Sequence, residues 1–177
     1  YDISPEEKVD PLSEDRDSPV KGLVHRYPNR VLFLSTDFCS TACRYCTRSR
    51  LIGATHHECK HDYWEQAIQY IAEHEEVQDV VVSGGDPLTL PTETLEKLLA
   101  RLRAIPHVSI IRLGTKTTAV LPQRITTRLV HMVAKYHPVF VSIHATHPDE
   151  LTPEMKAACE RLADAGMPIG SQTGLLK

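Results

Sequence analysis

Apolar and β-branched residues gather in five short runs: VLFLST (31–36), VQDVVVS (77–83), VSIIRLG (108–114), PVFVSIH (138–144) and MPIGSQT (167–173). From the second run onward they recur about every thirty residues, and the gaps carry apolar positions three and four apart. The runs predict strands and the gaps predict helices. A first helix is signalled by Asp62 as N-cap with Glu65 three residues on, and by the stripe Trp64, Ala67, Ile68, Ile71 and Ala72. A second carries Leu95, Leu98, Leu99 and Leu102 after Thr92, and a third Leu129, Val130, Val133 and Ala134. The fourth has Thr152 as cap, Pro153 at its first position, and Gly166 and Pro168 past its end.

Strand and helix alternating at this period predict parallel strands joined by right-handed crossovers. The strand runs are nearly continuous in apolar residues, as expected when both faces of a sheet are covered. The fold class is therefore α/β, with about five parallel strands and four helices. A doubly wound sheet and a (βα) barrel both fit, and each places ligands at the carboxyl ends of its strands. Residues 1–21, with Pro5, Pro11 and Pro19 among many charges, read as an extended N-terminal arm, and residues 22–177 as the domain. The chain stops just after the fifth predicted strand and opens without a methionine. An internal fragment truncated at its C-terminus, or a partial barrel completed by something else, is expected.

The totals narrow the function. The chain has 177 residues, 41% hydrophobic and 24% charged, with a net charge of −3. That is one ordinary globular domain, and the balance does not point to nucleic acid or an anionic membrane as partner. No apolar run has membrane-spanning length and no signal pattern opens the chain, so a cytoplasmic location is expected. Five cysteines, three of them crowded together, suit a disulfide scaffold badly and suit metal-bound or reactive thiols in a reducing compartment well. Cys159 reads instead as core, on the stripe Met155, Ala158, Cys159, Leu162 and Ala163.

The chemistry follows the strands. After the first comes TDFCSTACRYCTRSR, with Cys39, Cys43 and Cys46 as C-x3-C-x2-C; after the second comes SGGDP; after the fourth, HATHPDE. Three thiolates could join His56, His57, Cys59 or His61 around a zinc ion, which would make the protein a zinc-stabilised binding module. The short loop favours a 4Fe–4S cluster instead, since three cysteines within eight residues can cap three of its corners and leave one iron open to bind a ligand and pass it an electron.

The cysteine motif with Tyr45 before its last cysteine, followed on the next strand by SGGD, resembles the radical S-adenosylmethionine (SAM) superfamily. GLVHRYPNRVLFL, CRYCTRSR, LPQRIT, KYHPV and GSQTGLLK are further similar to the lysine 2,3-aminomutase-like family. The resemblance implies a partial (βα) barrel of the radical SAM type. It also implies 2,3-amino migration on an amino acid through hydrogen abstraction by a 5'-deoxyadenosyl radical, with Cys39, Cys43 and Cys46 as cluster ligands. Tyr45 would lie near the adenine or simply order the loop. Ser83, Gly84, Gly85 and Asp86 would approach the SAM ammonium, unless the glycines only make a tight turn. His144 and Gln172 fall where the family contacts SAM. Arg48, two residues past Cys46, would grip the substrate α-carboxylate, a task suited to a planar guanidinium. Its plainer reading is a solvated charge.

Arg26, Tyr27 and Arg30 match positions that contact pyridoxal phosphate (PLP). The family's PLP-anchoring lysine, and the acidic residues that select lysine's ammonium, lie beyond this chain. Partners implied are a small amino-acid substrate and a reductase, flavodoxin or ferredoxin as electron donor; homo-oligomerisation is left open. A radical SAM enzyme acting on a protein-bound lysine is the alternative within the superfamily.

Overall fold

A computed structural model describes residues 8–52 and 61–174, with the side chains of His61 and Asp62 excepted. Six strands form one sheet in the order of the chain: β1 (Leu23–Tyr27), β2 (Arg30–Thr36), β3 (Asp79–Gly84), β4 (Ile110–Thr115), β5 (Val139–Ile143) and β6 (Ile169–Ser171). The predicted runs are β2 to β6, all mutually parallel. β1 was not predicted; it pairs antiparallel with β2 across a hairpin whose two loop residues are Pro28 and Asn29. The helices are α1 (His61–Glu73), α2 (Thr92–Arg103), a single turn α3 (Thr117–Val120), α4 (Thr127–Ala134) and α5 (Pro153–Asp164). The Thr152 cap forms as the sequence signals it, accepting from the Met155 amide, and α4 is capped by Thr126, which the sequence did not single out, accepting from the Leu129 amide. α1 starts at His61, one residue ahead of the predicted cap.

The strand order never reverses, which is barrel winding and not doubly wound winding. Successive crossovers of one hand then lie on one side, and burial shows it. Val31, Phe33, Val80, Val82, Ile111, Leu113, Val139 and Val141 pack against Ile71, Leu95, Leu98, Leu129 and Leu162 in a single core. The alternate positions Leu32, Val81, Arg112, Phe140 and Ser142 are only half-buried. The expectation that both faces are covered does not hold for the described residues, whose helices pack on one face only. In the described residues the sheet is an open arc whose second face is concave and increasingly polar. Cys159 is likewise half-buried and Ala163 exposed, because the buried stripe of α5 runs through Met155, Ala158 and Leu162. None of the described helices is long and apolar enough to cross a membrane.

Register stacks the inner face in layers. Arg30 pairs with Asp79; Leu32 with Val81, Arg112 and Phe140 in turn; Gly114 with Ser142 and Gly170. Between Leu34 and Thr36 the pairing with β3 shifts, so a bulge lies at the point where β2 leaves the sheet for the cysteine loop.

Candidate active site

The carboxyl-end rim is assembled first by backbone. Gly84 has φ +103°, and a Cβ there would come within 2.7 Å of the Thr36 carbonyl oxygen. At Gly85 a Cβ would come within 2.3 Å of the Phe38 carbonyl oxygen. The close approach that these glycines permit is thus to the stem of the cysteine loop. The Gly85 amide donates to Thr36 O at 2.6 Å and the Asp86 amide to Phe38 O at 2.9 Å. Asp86, buried, turns its carboxylate inward. Oδ1 accepts from the Leu88 amide and Thr115 Oγ1, and Oδ2 from the amides of Lys116 and Thr117 and again from Thr115 Oγ1. One side chain thereby joins the turn after β3 to the turn after β4.

The cysteine loop itself is a series of turns, with Cys46 N donating to Cys43 O and Leu51 N to Arg48 O. All three thiols are free and half-buried. Burial, then the nearby Asp86 charge, then Cys46 and Cys43, push the Cys39 thiol up to about 11. Such a thiol is a poor nucleophile, and a strongly Lewis-acidic partner would be needed to hold it as thiolate. Among the described residues no three His, Cys, Asp or Glu side chains converge on the position of a single metal ion. An iron–sulfur cube spreads three thiolates over three corners, a wider spacing that a loop of this length can span. The proposed extra zinc donors His56, His57 and Cys59, and the side chain of His61, lie outside the described residues.

Tyr45 reaches across the rim, its hydroxyl donating to Thr146 Oγ1 at 3.3 Å. Lys116 Nζ donates to Glu150 at 2.7 and 2.8 Å and to Thr146 Oγ1 at 3.3 Å. Burial alone would pull Lys116 down, yet the bonds to Glu150, with Tyr45 and the Glu150 charge, hold it above its ordinary value. His144 is half-buried and kept below the usual imidazole range, by burial first and then by the charges of Lys116 and Arg48.

On the concave face, Ser83, His144, Gln172, Arg30, Arg48 and Arg112 are among the walls of a cavity of about 270 Å³. Arg26, Tyr27, Arg30 and Arg48 share an adjoining one of about 300 Å³, with Leu12 and Glu14 from the arm. The structure thus brings most of the predicted SAM, substrate and PLP residues onto one continuous surface, while the cysteines, Tyr45, Gly84, Gly85 and Asp86 form its rim. A larger hollow, about 550 Å³ between α1 and α2, contains none of them.

The basic residues are all engaged. Arg48 grips Glu14 by two bonds of 2.9 and 2.7 Å. Arg26 bonds Asp17 at 2.6 Å and the Leu12 carbonyl, and Tyr27 is 58% exposed. Arg30 bonds Asp79 at 2.7 Å, and Arg112 meets the same carboxylate at 2.9 and 3.0 Å. Glu14, Asp79, Arg112, Lys116 and Glu150 were missed by the sequence reading. Asp79 and Arg112 had a signal, as charges inside apolar strand runs, and Glu14 had none.

The profile of the radical SAM superfamily matches residues 33–176. An L-lysine 2,3-aminomutase of Fusobacterium nucleatum is 55% identical over 169 residues, 96% of this chain and 40% of that protein. The L-lysine 2,3-aminomutase of Clostridium subterminale is 54% identical, over 95% of this chain and 40% of its own. A glutamate 2,3-aminomutase of Clostridioides difficile is 44% identical, over 97% and 40%. The chain therefore spans about two-fifths of the length of these relatives. Its cysteine loop, its SGGD turn and its barrel-wound sheet, with a profile match over most of its length, agree on one assignment: the chain belongs to the radical SAM superfamily.

Proposed function

We propose that this chain provides the cluster, SAM and substrate-carboxylate sites of a 2,3-aminomutase acting on a free amino acid. The observation that carries the reading is the position of Arg48. It leaves the cysteine loop two residues after Cys46 and enters the cavity that also has His144 and Gln172 on its walls. A guanidinium there can hold a carboxylate beside the cluster loop. The relatives named for lysine and for glutamate support this division of labour, because the two amino acids share the α-carboxylate that Arg48 would read and differ at the far end of the side chain.

The donor set fits the cofactors. Cys39, Cys43 and Cys46 would hold a 4Fe–4S cluster, and Ser83, the backbone of Gly84 and Gly85, His144 and Gln172 would hold SAM. Asp86 would orient that site by fixing its turns, since its oxygens are already occupied. When bound, cluster and SAM supply the electron and the radical that the protein's own groups cannot. The protein's work is to place the substrate against that radical and to exclude water. Arg26, Tyr27 and Arg30 line the cavity next to Arg48 and would cradle the phosphate and ring of PLP. A small-molecule substrate, a cytoplasmic setting and electrons from a reductase, flavodoxin or ferredoxin complete the proposal.

Anaerobic reconstitution with iron and sulfide tests it. The expected product is a brown protein that cleaves SAM to 5'-deoxyadenosine under reduction, and Cys39→Ala should abolish both colour and cleavage. A colourless protein holding one zinc per chain would replace this reading with that of a zinc module.

A further inference from the structure

We infer that Glu14 is a positioning residue for Arg48, holding one edge of its guanidinium so that the other edge stands ready for a substrate carboxylate. This rests on the reading of Arg48 as the carboxylate grip. A guanidinium has five N–H groups and can present more than one two-pronged edge. Glu14 takes the side edge: Nε donates to Oε2 at 2.9 Å and Nη2 to Oε1 at 2.7 Å. Both Nη1 hydrogens and the second on Nη2 have no acceptor among the described residues. The Nη1–Nη2 edge is therefore available for a second carboxylate, and Arg48 lies on the walls of both cavities. A lysine could not serve two carboxylates in this way.

The grip is built to persist. The Glu14 side chain is 7% exposed against 19% for Arg48. Its amide donates to Asp10 Oδ1 at 3.0 Å, and its carbonyl accepts from Ser18 Oγ at 2.8 Å and from the Asp17 amide at 3.1 Å. The same arm is fastened to the hairpin by Arg26 on Asp17 and by the His25 amide donating to Asp17 O at 2.8 Å. Arg50 fastens it to the cysteine loop through Asp15. A carboxylate that merely imitated substrate would have to leave when substrate arrives. Glu14 is nearly buried, and its place on the side edge does not require it to leave. Fixing the long Arg48 side chain in advance removes rotamer freedom that substrate binding would otherwise have to remove.

The test uses the full-length enzyme containing this chain, reconstituted anaerobically, with steady-state constants compared at equal iron content. Arg48→Lys first checks the underlying reading: an unchanged KM for the amino acid overturns the role of Arg48 and this inference with it. With that role upheld, Glu14→Gln is expected to raise KM by about tenfold to a hundredfold, by analogy with the loss when a partner that orients a metal ligand is removed, and to change kcat far less. Glu14→Asp keeps the charge, shortens its reach, and should raise KM by roughly threefold. It decides the matter alone if the glutamine variant does not accumulate. A lowered KM would mean that Glu14 competes with substrate. An unchanged KM with reduced iron content or melting temperature would mean that it serves the fold. Either result overturns the inference while leaving the Arg48 reading intact.

Discussion

Gly85 lies against Phe38 so closely that a Cβ would sit 2.3 Å from the Phe38 carbonyl oxygen and 2.8 Å from its carbonyl carbon and amide nitrogen. All three obstacles are backbone, so neither side can yield without moving the cysteine loop. Gly85→Ala should therefore cost about 1–3 kcal/mol of stability and sharply lower the iron bound after reconstitution. Gly170→Ala is the control, because nothing lies within 4 Å of its Cβ position. Equal iron content in the two variants would show that the turn does not shape the loop.

Asp86 allows a separate test. Its Oδ2 accepts from the amides of Lys116 and Thr117, and an asparagine amide placed there would face donors with donors. Asp86→Asn should lower stability by about 2 kcal/mol in urea unfolding at neutral pH. Unaltered stability with lost SAM affinity would instead place this carboxylate on the ligand.

The acid side of the stability profile should report His144. Its folded pKa lies below its unfolded value, so the unfolded chain binds more protons in the interval between them. The contribution of neutral His144 is complete above about pH 6.5 and is lost as pH falls through that interval. Urea midpoints of wild type and His144→Gln should thus converge as pH is lowered from above that value, with wild type losing more. Parallel profiles would show that the imidazole feels no such environment.

Asp79 serves two guanidiniums at once, at 2.7 Å from Arg30 and at 2.9 Å from Arg112, with its own side chain 6% exposed. Asp79→Ala leaves two like charges facing each other without their counter-ion. Both arginines are at least a third exposed, so the loss is discounted to about 2–3 kcal/mol from that of a fully buried pair. A change under about 0.5 kcal/mol, the range of ordinary surface substitutions, would remove Asp79 from the framework of the inner face.

How far the sequence reveals this arrangement depends on how local each signal is. β2 to β6 and the four longer helices are legible because each shows its own apolar period, sharpened in α5 by the Thr152 cap. β1 is not, because its residues, LVHRY, are five in number and flow into a hairpin that reads equally well as a ligand motif. The covered face was misread for a different reason: Leu32, Val81 and Phe140 are apolar although only half-buried, so the runs look two-sided. Of the site, the cysteine loop and SGGD stand out because their residues are contiguous. The Glu14–Arg48 pair joins positions 34 apart with no periodic pattern between them, and only the folded chain shows it.

The cysteine loop is stapled on two sides, by Thr36 and Phe38 to the glycine turn and by Tyr45 to Thr146. Each staple removes disorder before any iron arrives. If the three thiols hold iron as proposed, part of the chain's avidity for it would be set by hydrogen bonds that never touch a sulfur, and weakening them should loosen metal retention even with every thiol in place.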